Sequence, residues 1–280
     1  MIARARQSNV GGFSLLEIAI VLVIVSILLS IVVVPLSSQM EQQRTAATNK
    51  QLEAIKEALI GFAIANGRLP CPAISTSLGA EKFAATGTAA NGICQQFVGF
   101  LPAVTLGLTP VDSEGFAVDA WGLAQNRIRY AVMDISTKST SPPTPFSDCP
   151  ASDVQHVLTQ SDGMKKASMT CLAKYSETTT PYRTLLSVCS QTPANAAPFC
   201  FASNLTITAP FVLISLGKNA ATGGVGADES FNAGTAGGGV VFVSHTPTQA
   251  GTTGGEFDDI VTWGSLNTLF ARMVQAGKLP

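Results

Sequence analysis

The chain has 280 residues with 17 basic and 18 acidic side chains, a formal net charge of -1, and only 12% charged residues. That balance excludes the basic footprint of a nucleic-acid binder and strong electrostatic steering of a charged partner, and the length gives one large domain or two small ones ample core. Met1 to Gly12 is short and basic, with Arg4 and Arg6 and no acid. Ile18 to Leu36 is an apolar run of about 19 residues, roughly 28 Å as a helix, enough to cross a hydrocarbon core. The positive flank ahead of it keeps the N-terminus cytoplasmic and sends everything after Leu36 out of the cytoplasm. A cleaved secretory signal has a shorter apolar core, about 7 to 15 residues, and a small-residue cleavage pattern, which Val33 to Gln39 does not offer.

Glu17 stands at the lip of this run. A charge costs on the order of 2.5–3.5 kcal/mol at bilayer depth and less near the interface, so the carboxylate calls for a partner. A cut between Gly12 and Phe13 would create an α-amino group four residues before Glu17, one helical turn away. The two charges would then neutralise each other within one subunit or between neighbours.

Glu41 to Asn66 lacks Pro and, apart from Gly61, Gly, so the helix is expected to continue past a local kink at Pro35. Leu52, Ile55, Leu59 and Phe62 recur at helical spacing, with Gln51, Glu53, Lys56 and Glu57 on other faces. Gly67 suits a C-terminal cap and Pro70 forbids continuation. Ile74 to Ile93 reads as loop. Phe97 to Pro102 and Val104 to Leu108 fit either short helix or strand. Arg127 to Val132 alternates as an antiparallel strand does, and Ser136 to Pro145 is a Pro/Ser/Thr loop. Val154 to Lys174 has no clear period. Leu185 to Val188, Asn204 to Ile207, Phe211 to Gly217, Val240 to Val243 and Asp258 to Trp263 read as strands, the fourth set between glycine-rich loops. Ser265 is placed to cap a terminal helix bearing Leu266, Leu269, Phe270, Met273 and Val274 on its apolar face. One long helix followed by strands makes the class α+β.

Gly12-Phe13-Ser14-Leu15-Leu16-Glu17, followed by the apolar helix with Pro35 near its end, resembles the N-terminal signature of type IV pilins and type II secretion pseudopilins. The resemblance implies a pilin-like fold, a long N-terminal helix packed on an antiparallel β-sheet head. It implies cleavage after Gly12 by a prepilin peptidase, methylation of the Phe13 amine, and a role for Glu17 in meeting the amine of an adjacent subunit during assembly. The corresponding division is a leader (1–12), a transmembrane and assembly helix (13–36), its amphipathic continuation (37–66) and a periplasmic head (67–280). Asp119-Ala120-Trp121-Gly122 ahead of Arg129-Tyr130 is similar to a turn and strand of major pseudopilins, with Ala120 where proline is usual. Ser215-Leu216-Gly217, Gly223-Gly224 and Gly254 to Ile260 resemble the loop that binds calcium in those proteins, with a long insertion between Gly224 and Gly254.

Calcium takes six to eight hard oxygens. Asp258 and Asp259 are the leading candidate ligands, followed by Asp228 and the Leu216 carbonyl, although adjacent strand residues point to opposite faces, which would leave one Asp within reach. Cys71, Cys94, Cys149, Cys171, Cys189 and Cys200 all follow the apolar run, as suits an oxidising compartment such as the periplasm. Six cysteines allow 15 pairings and the sequence does not select among them; the working expectation is near neighbours, Cys71 with Cys94, Cys149 with Cys171, Cys189 with Cys200. His156 and His245 fall in no metal or catalytic motif, and neither a G-x-S-x-G elbow nor a phosphate-binding loop occurs. Trp121 and Trp263 read as core or turn-packing residues. The expectation is a non-enzymatic filament subunit of the inner membrane, of a pilus or a secretion pseudopilus. Its partners would be other such subunits, the prepilin peptidase and an assembly platform, with a minor tip subunit acting as adhesin or substrate recruiter as the alternative.

Overall fold

The computed structural model describes residues 12, 14–133, 156–166, 186–193, 200, 203–222, 226–234, 240–252 and 255–279, without side chains 29–37. Phe13, Cys149, Cys171 and the loop at 136–145 lie outside the described residues. The chain divides into two compact units, Met1–Arg44 and Thr45–Pro280.

Helix α1, Leu15–Asn66, runs 52 residues. In the first unit the large apolar side chains from Leu15 to Leu28 are exposed, Leu15 at 91%. Among the described residues no helix is long and apolar enough to cross a membrane; the second half of the apolar run falls among side chains 29–37, outside that description.

In the second unit α1 turns amphipathic. Thr48, Leu52, Ile55, Leu59, Ile60 and Ala63 are buried, the three-and-four spacing of one helical face. The expected Phe62 is instead half-buried, its ring 5.1 Å from the Arg68 guanidinium. Gly67 ends the helix at φ +65 and donates its amide to the Ala63 carbonyl at 2.8 Å. Glycine takes this left-handed conformation without a Cβ clash.

Against that face lies a four-stranded antiparallel sheet in the order β1-β2-β5-β7: β1 Val98–Phe100, β2 Arg129–Val132, β5 Phe211–Ser215 and β7 Ile260–Trp263. Of Phe97 to Pro102 only Val98–Phe100 is strand, and Val104 to Leu108 is mostly turn. Every residue of β5 is buried, so both faces of the sheet are covered at this strand. Tyr130 of β2 is fully buried and its hydroxyl donates to the Pro70 carbonyl at 3.1 Å, holding the start of the head to the sheet. Burial pushes the Tyr130 phenol well above its usual range. Helix α4, Leu266–Gln275, closes this layer with Leu266, Leu269 and Met273 buried. Val274, expected on the same face, is 43% exposed, and Ser265 precedes the helix without a side-chain cap.

A second sheet has the order β4-β3-β6: β3 Leu186–Cys189, β4 Asn204–Ala209 and β6 Val241–Val243. Its β3–β6 pair is parallel, the one such pair among the described strands. Because side chains alternate across a strand, Val188 and Phe242 face the main core while Cys189, Val241 and Val243 face a second, smaller one. Phe231 and Phe257 cover that outer core. Two short helices, α2 Gly163–Lys166 and α3 Ala227–Asn232, and two single 3-10 turns, Ala124–Asn126 and Ala220–Thr222, complete the described elements.

Disulfides join Cys71 to Cys94 and Cys189 to Cys200. The first ties the loop after α1 to the approach to β1, and the second lies in the outer core.

Candidate functional site

At the N-terminus Gly12 is exposed, with nothing within 4 Å of where a Cβ would stand. Ser14 accepts the Leu16 amide on its hydroxyl at 3.1 Å, and Glu17 accepts the Ser14 amide on its carboxylate at 3.0 Å. This reciprocal pair is a capping box, which satisfies amide groups that the first helical turn leaves without partners. The carboxylate also sits at the positive end of the helix dipole. Glu17 thus stands where its charge has a local partner, and the Gly12–Phe13 bond lies just ahead of the helix start.

In the head, the turn that leaves β5 and the segment that enters β7 meet, because Ser215 pairs with Ile260 in the antiparallel ladder. Asp258 Oδ2 accepts the Lys218 and Asn219 amides at 2.9 and 3.2 Å. Gly217, at φ +64, permits this approach: a Cβ there would stand 2.4 Å from Asp258 Oδ1. Glu229 of α3 reaches the same place, accepting the Asn219 side-chain amide at 3.0 Å and the Asp258 backbone amide at 3.1 Å. Oxygens of Glu229, Asp258 and Asp259 lie within 4.8 Å of one another. Both aspartates reach the cluster because they precede β7, which begins at Ile260; outside the pleat, the alternation expected of strand residues does not apply.

Asp228 does not join them. Its carboxylate accepts the Thr192 amide at 2.7 Å and the Thr192 hydroxyl, and pairs with His245 Nε2 at 3.1 Å. The His245 ring stacks on Phe257 at 3.9 Å. Glu229 and Asn219 are residues that sequence reading missed. For Glu229 the one signal in the chain was the six-residue interruption Ala227–Asn232 in an otherwise glycine-rich stretch, which folds as α3.

Crowding three carboxylates in a half-buried pocket penalises their charged forms. Burial and the neighbouring Glu229 push the Asp258 carboxyl up to about 6, against the opposing amides of Lys218 and Asn219. Burial pushes Asp259 well above the usual carboxylate range, reinforced by Glu229 and Asp258 and opposed by Asn232 and Arg129. Arg129 is itself lowered by burial, with Asp259 opposing. The donor chemistry fits a hard divalent cation: besides three carboxylates, Asp258 Oδ1 and Asn219 Oδ1 are buried acceptors with no hydrogen-bond partner. Glu229, Asp258, Asp259 and Asn219 are the residues that would hold it, and the ion would add positive charge beyond that of Arg129 and Lys218.

Behind the pocket, Asp119 organises the Asp119-Ala120-Trp121-Gly122 turn. It accepts the Trp121 amide at 2.9 Å, the Asn126 side-chain amide at 3.0 Å and the Ser215 hydroxyl at 2.5 Å. Asn126 also donates to the Gly217 carbonyl at 2.5 Å, and Thr48 of α1 accepts the Ala120 amide at 3.2 Å. The turn therefore connects α1 to the loop that carries Gly217. Trp121 and Trp263 are both partly buried.

No curated protein and no solved structure matches this chain. Residues 7–33 match the family model described as the prokaryotic N-terminal methylation motif. With its exposed Gly12, its capping Glu17 and the apolar helix that follows, the chain carries the prepilin-type motif of type IV pilins and pseudopilins.

Proposed function

We propose that this protein is a structural subunit of a type IV pilus or type II secretion pseudopilus. The carrying observation is the methylation motif at residues 7–33 on a helix whose described large apolar side chains, Leu15 to Leu28, are exposed. Prepilin peptidase cuts after Gly12, the Phe13 amine is methylated, and the apolar helix anchors the subunit in the inner membrane with its head in the periplasm. On extraction, burial of the same side chains against neighbouring subunits replaces their lipid contacts, so one helix serves as anchor and as polymer interface. The assembly platform and other subunits are the partners, and no catalytic role is assigned. A cation at Glu229, Asp258 and Asp259 belongs to this reading as a structural ion, calcium by its oxygen donors.

A second reading, a minor tip subunit that binds a surface or a secreted substrate, is favoured by the second sheet and outer core that enlarge the head. Substoichiometric abundance and a terminal position distinguish it.

The test is the intact mass and N-terminal sequence of the native membrane-extracted protein. A chain that starts at Phe13 and carries one methyl group supports the proposal. Retention of Met1 to Gly12, or a start after Leu36, refutes it.

A further inference from the structure

Asn204-Leu205-Thr206 is the one Asn-x-Ser/Thr triplet in the chain. That pattern is the acceptor of N-linked saccharides in exported proteins, and it has meaning only where the asparagine can be reached. The fold places it on the first residues of β4, Asn204–Ala209, the strand that ends the β4-β3-β6 sheet. Asn204 and Leu205 are both exposed, Leu205 at 48%. Successive strand residues point to opposite faces, so the start of β4 is open on both. The same alternation sets the Asn204 amide and the Thr206 hydroxyl on one face, and among the described residues the Asn204 side chain has no hydrogen-bond partner. Its backbone is held in place. Asn204 stands opposite Cys189 in the ladder, and the Ser190 amide donates to the Ser203 carbonyl at 2.7 Å.

A second feature of this strand is independent of the motif. An edge strand offers its unpaired backbone groups to other chains, and proteins blunt such edges with charge, proline or an irregular ladder. Pro210 follows β4 and its register against β3 shifts, but charge is missing: no charged side chain occurs from Thr184 to Gly217. Among the described residues no strand pairs with the outer side of β4, and the Thr208 amide donates instead to the Thr206 hydroxyl at 3.3 Å. A large hydrated group at the start of the strand would give this edge the protection that charge gives others.

We propose that Asn204 is an N-glycosylation site whose saccharide shields the β4 edge. This rests on export of the head, as in the reading above, and adds to it a modification and a recognition residue, Thr206. The donor is an oligosaccharide carried on a lipid diphosphate. The Asn204 Nδ2 nitrogen bonds to the anomeric carbon, the bond from that carbon to the phosphate oxygen breaks, and the lipid diphosphate leaves with the electron pair. The amide gives up one proton to a base of the transferase, and nothing is oxidised or reduced.

The test takes the native full-length protein from the membranes of its own host and reads intact mass, N-terminal sequence and the fragmentation of peptides spanning Asn204 from one sample. A saccharide mass on Asn204 is expected. It should be lost in Asn204→Gln and Thr206→Ala and kept in Thr206→Ser. In sedimentation of the detergent-solubilised protein, Asn204→Gln should self-associate at lower concentration than the unaltered chain. Unmodified Asn204 in a chain that starts at Phe13 overturns the site and leaves the subunit reading standing. A saccharide that persists in Thr206→Ala overturns recognition through the triplet, and unchanged self-association of Asn204→Gln overturns the shielding. If Thr206→Ala fails to fold, the peptides of the unaltered protein still decide whether Asn204 carries the group.

Discussion

Replacing Asp119 by alanine should be among the most damaging single changes in the head that leave its apolar core untouched. The residue is buried at 4% exposure and accepts three hydrogen bonds, from the Trp121 amide, the Asn126 side chain and the Ser215 hydroxyl. A hydrogen bond to a charged acceptor contributes about 1.5–3 kcal/mol. Burial opposes the ionised form and raises the Asp119 carboxyl above its usual range, so the sum is reduced, and Asp119→Ala should cost about 3 kcal/mol. Asp119→Asn should cost about 1 to 2 kcal/mol, since the amide keeps an acceptor for Trp121 but turns a donor toward the donating Asn126 side chain. In a domain of this size about 3 kcal/mol corresponds to a loss of roughly 6–12 °C in Tm. Denaturant and thermal unfolding of the detergent-solubilised chain, followed by tryptophan fluorescence, measure this directly. Loss of Asp119 also frees the Asn126 contact to the Gly217 carbonyl, so the same variant should weaken calcium binding. A destabilisation below about 1 kcal/mol, or Asn as damaging as Ala, would refute the assignment of Asp119 as the acceptor that organises the turn.

Glu17→Ala should leave cleavage after Gly12 intact and sharply reduce incorporation into filaments; normal incorporation in a shearing and immunoblot assay removes the assembly role from Glu17. Replacing Cys71 and Cys94 together by serine opens a loop with a sequence separation of 23, worth about 3.4 kcal/mol by chain entropy, and replacing Cys189 and Cys200, at a separation of 11, about 2.8 kcal/mol. The order of the two losses in urea unfolding checks the estimate. In chelator, the raised Asp258 carboxyl gives a definite sign to the pH dependence. Its folded value near 6 exceeds the ordinary 3.8, so its stabilising contribution is complete below about pH 4 and is lost as pH rises through about 6. The full shift corresponds to about 3 kcal/mol, which screening of a half-exposed group reduces to about 1 to 1.5 kcal/mol. The calcium-free head should therefore be more stable near pH 5 than near pH 7.5, and calcium should cancel the difference. Stability that climbs over that interval in chelator contradicts the carboxylate crowding.

What could be read from sequence followed periodicity. The buried face of α1, the strands built on Arg127 to Val132 and Phe211 to Gly217, and the α+β class all rest on repeats of 3.6 or 2 residues, and the structure has them. The capping box at Ser14 and Glu17 is likewise written in the local chain. The pocket was half legible. Asp258 and Asp259 announced themselves as paired acids beside glycines, but Glu229 and Asn219 enter through contacts across 29 and 39 residues of chain, which no local pattern records. Asp228 was the more conspicuous neighbour and is drawn away by Thr192 and His245. The parallel pairing of β3 with β6 was invisible for the same reason, since strand pairing depends on partners distant in sequence.

The order of strands in the first sheet bears on how the head forms. β5 and β7 are neighbours, Ser215 opposite Ile260, yet all of 216–259 intervenes, including α3 and β6. Closing so long an excursion costs about 2 kcal/mol more than a tight hairpin of four or so residues, at about 0.6 kcal/mol per doubling. The β2–β5 pair closes a longer excursion still, residues 133–210, so both pairings of β5 carry this penalty before the ladder returns anything, and both fall late relative to contacts local in sequence. The strand at the end of this sheet is also the one whose entry carries Asp258 and Asp259. The carboxylate pocket therefore exists only once β5 and β7 have paired, and an ion captured there would act as a latch on the finished head rather than as a nucleus for it.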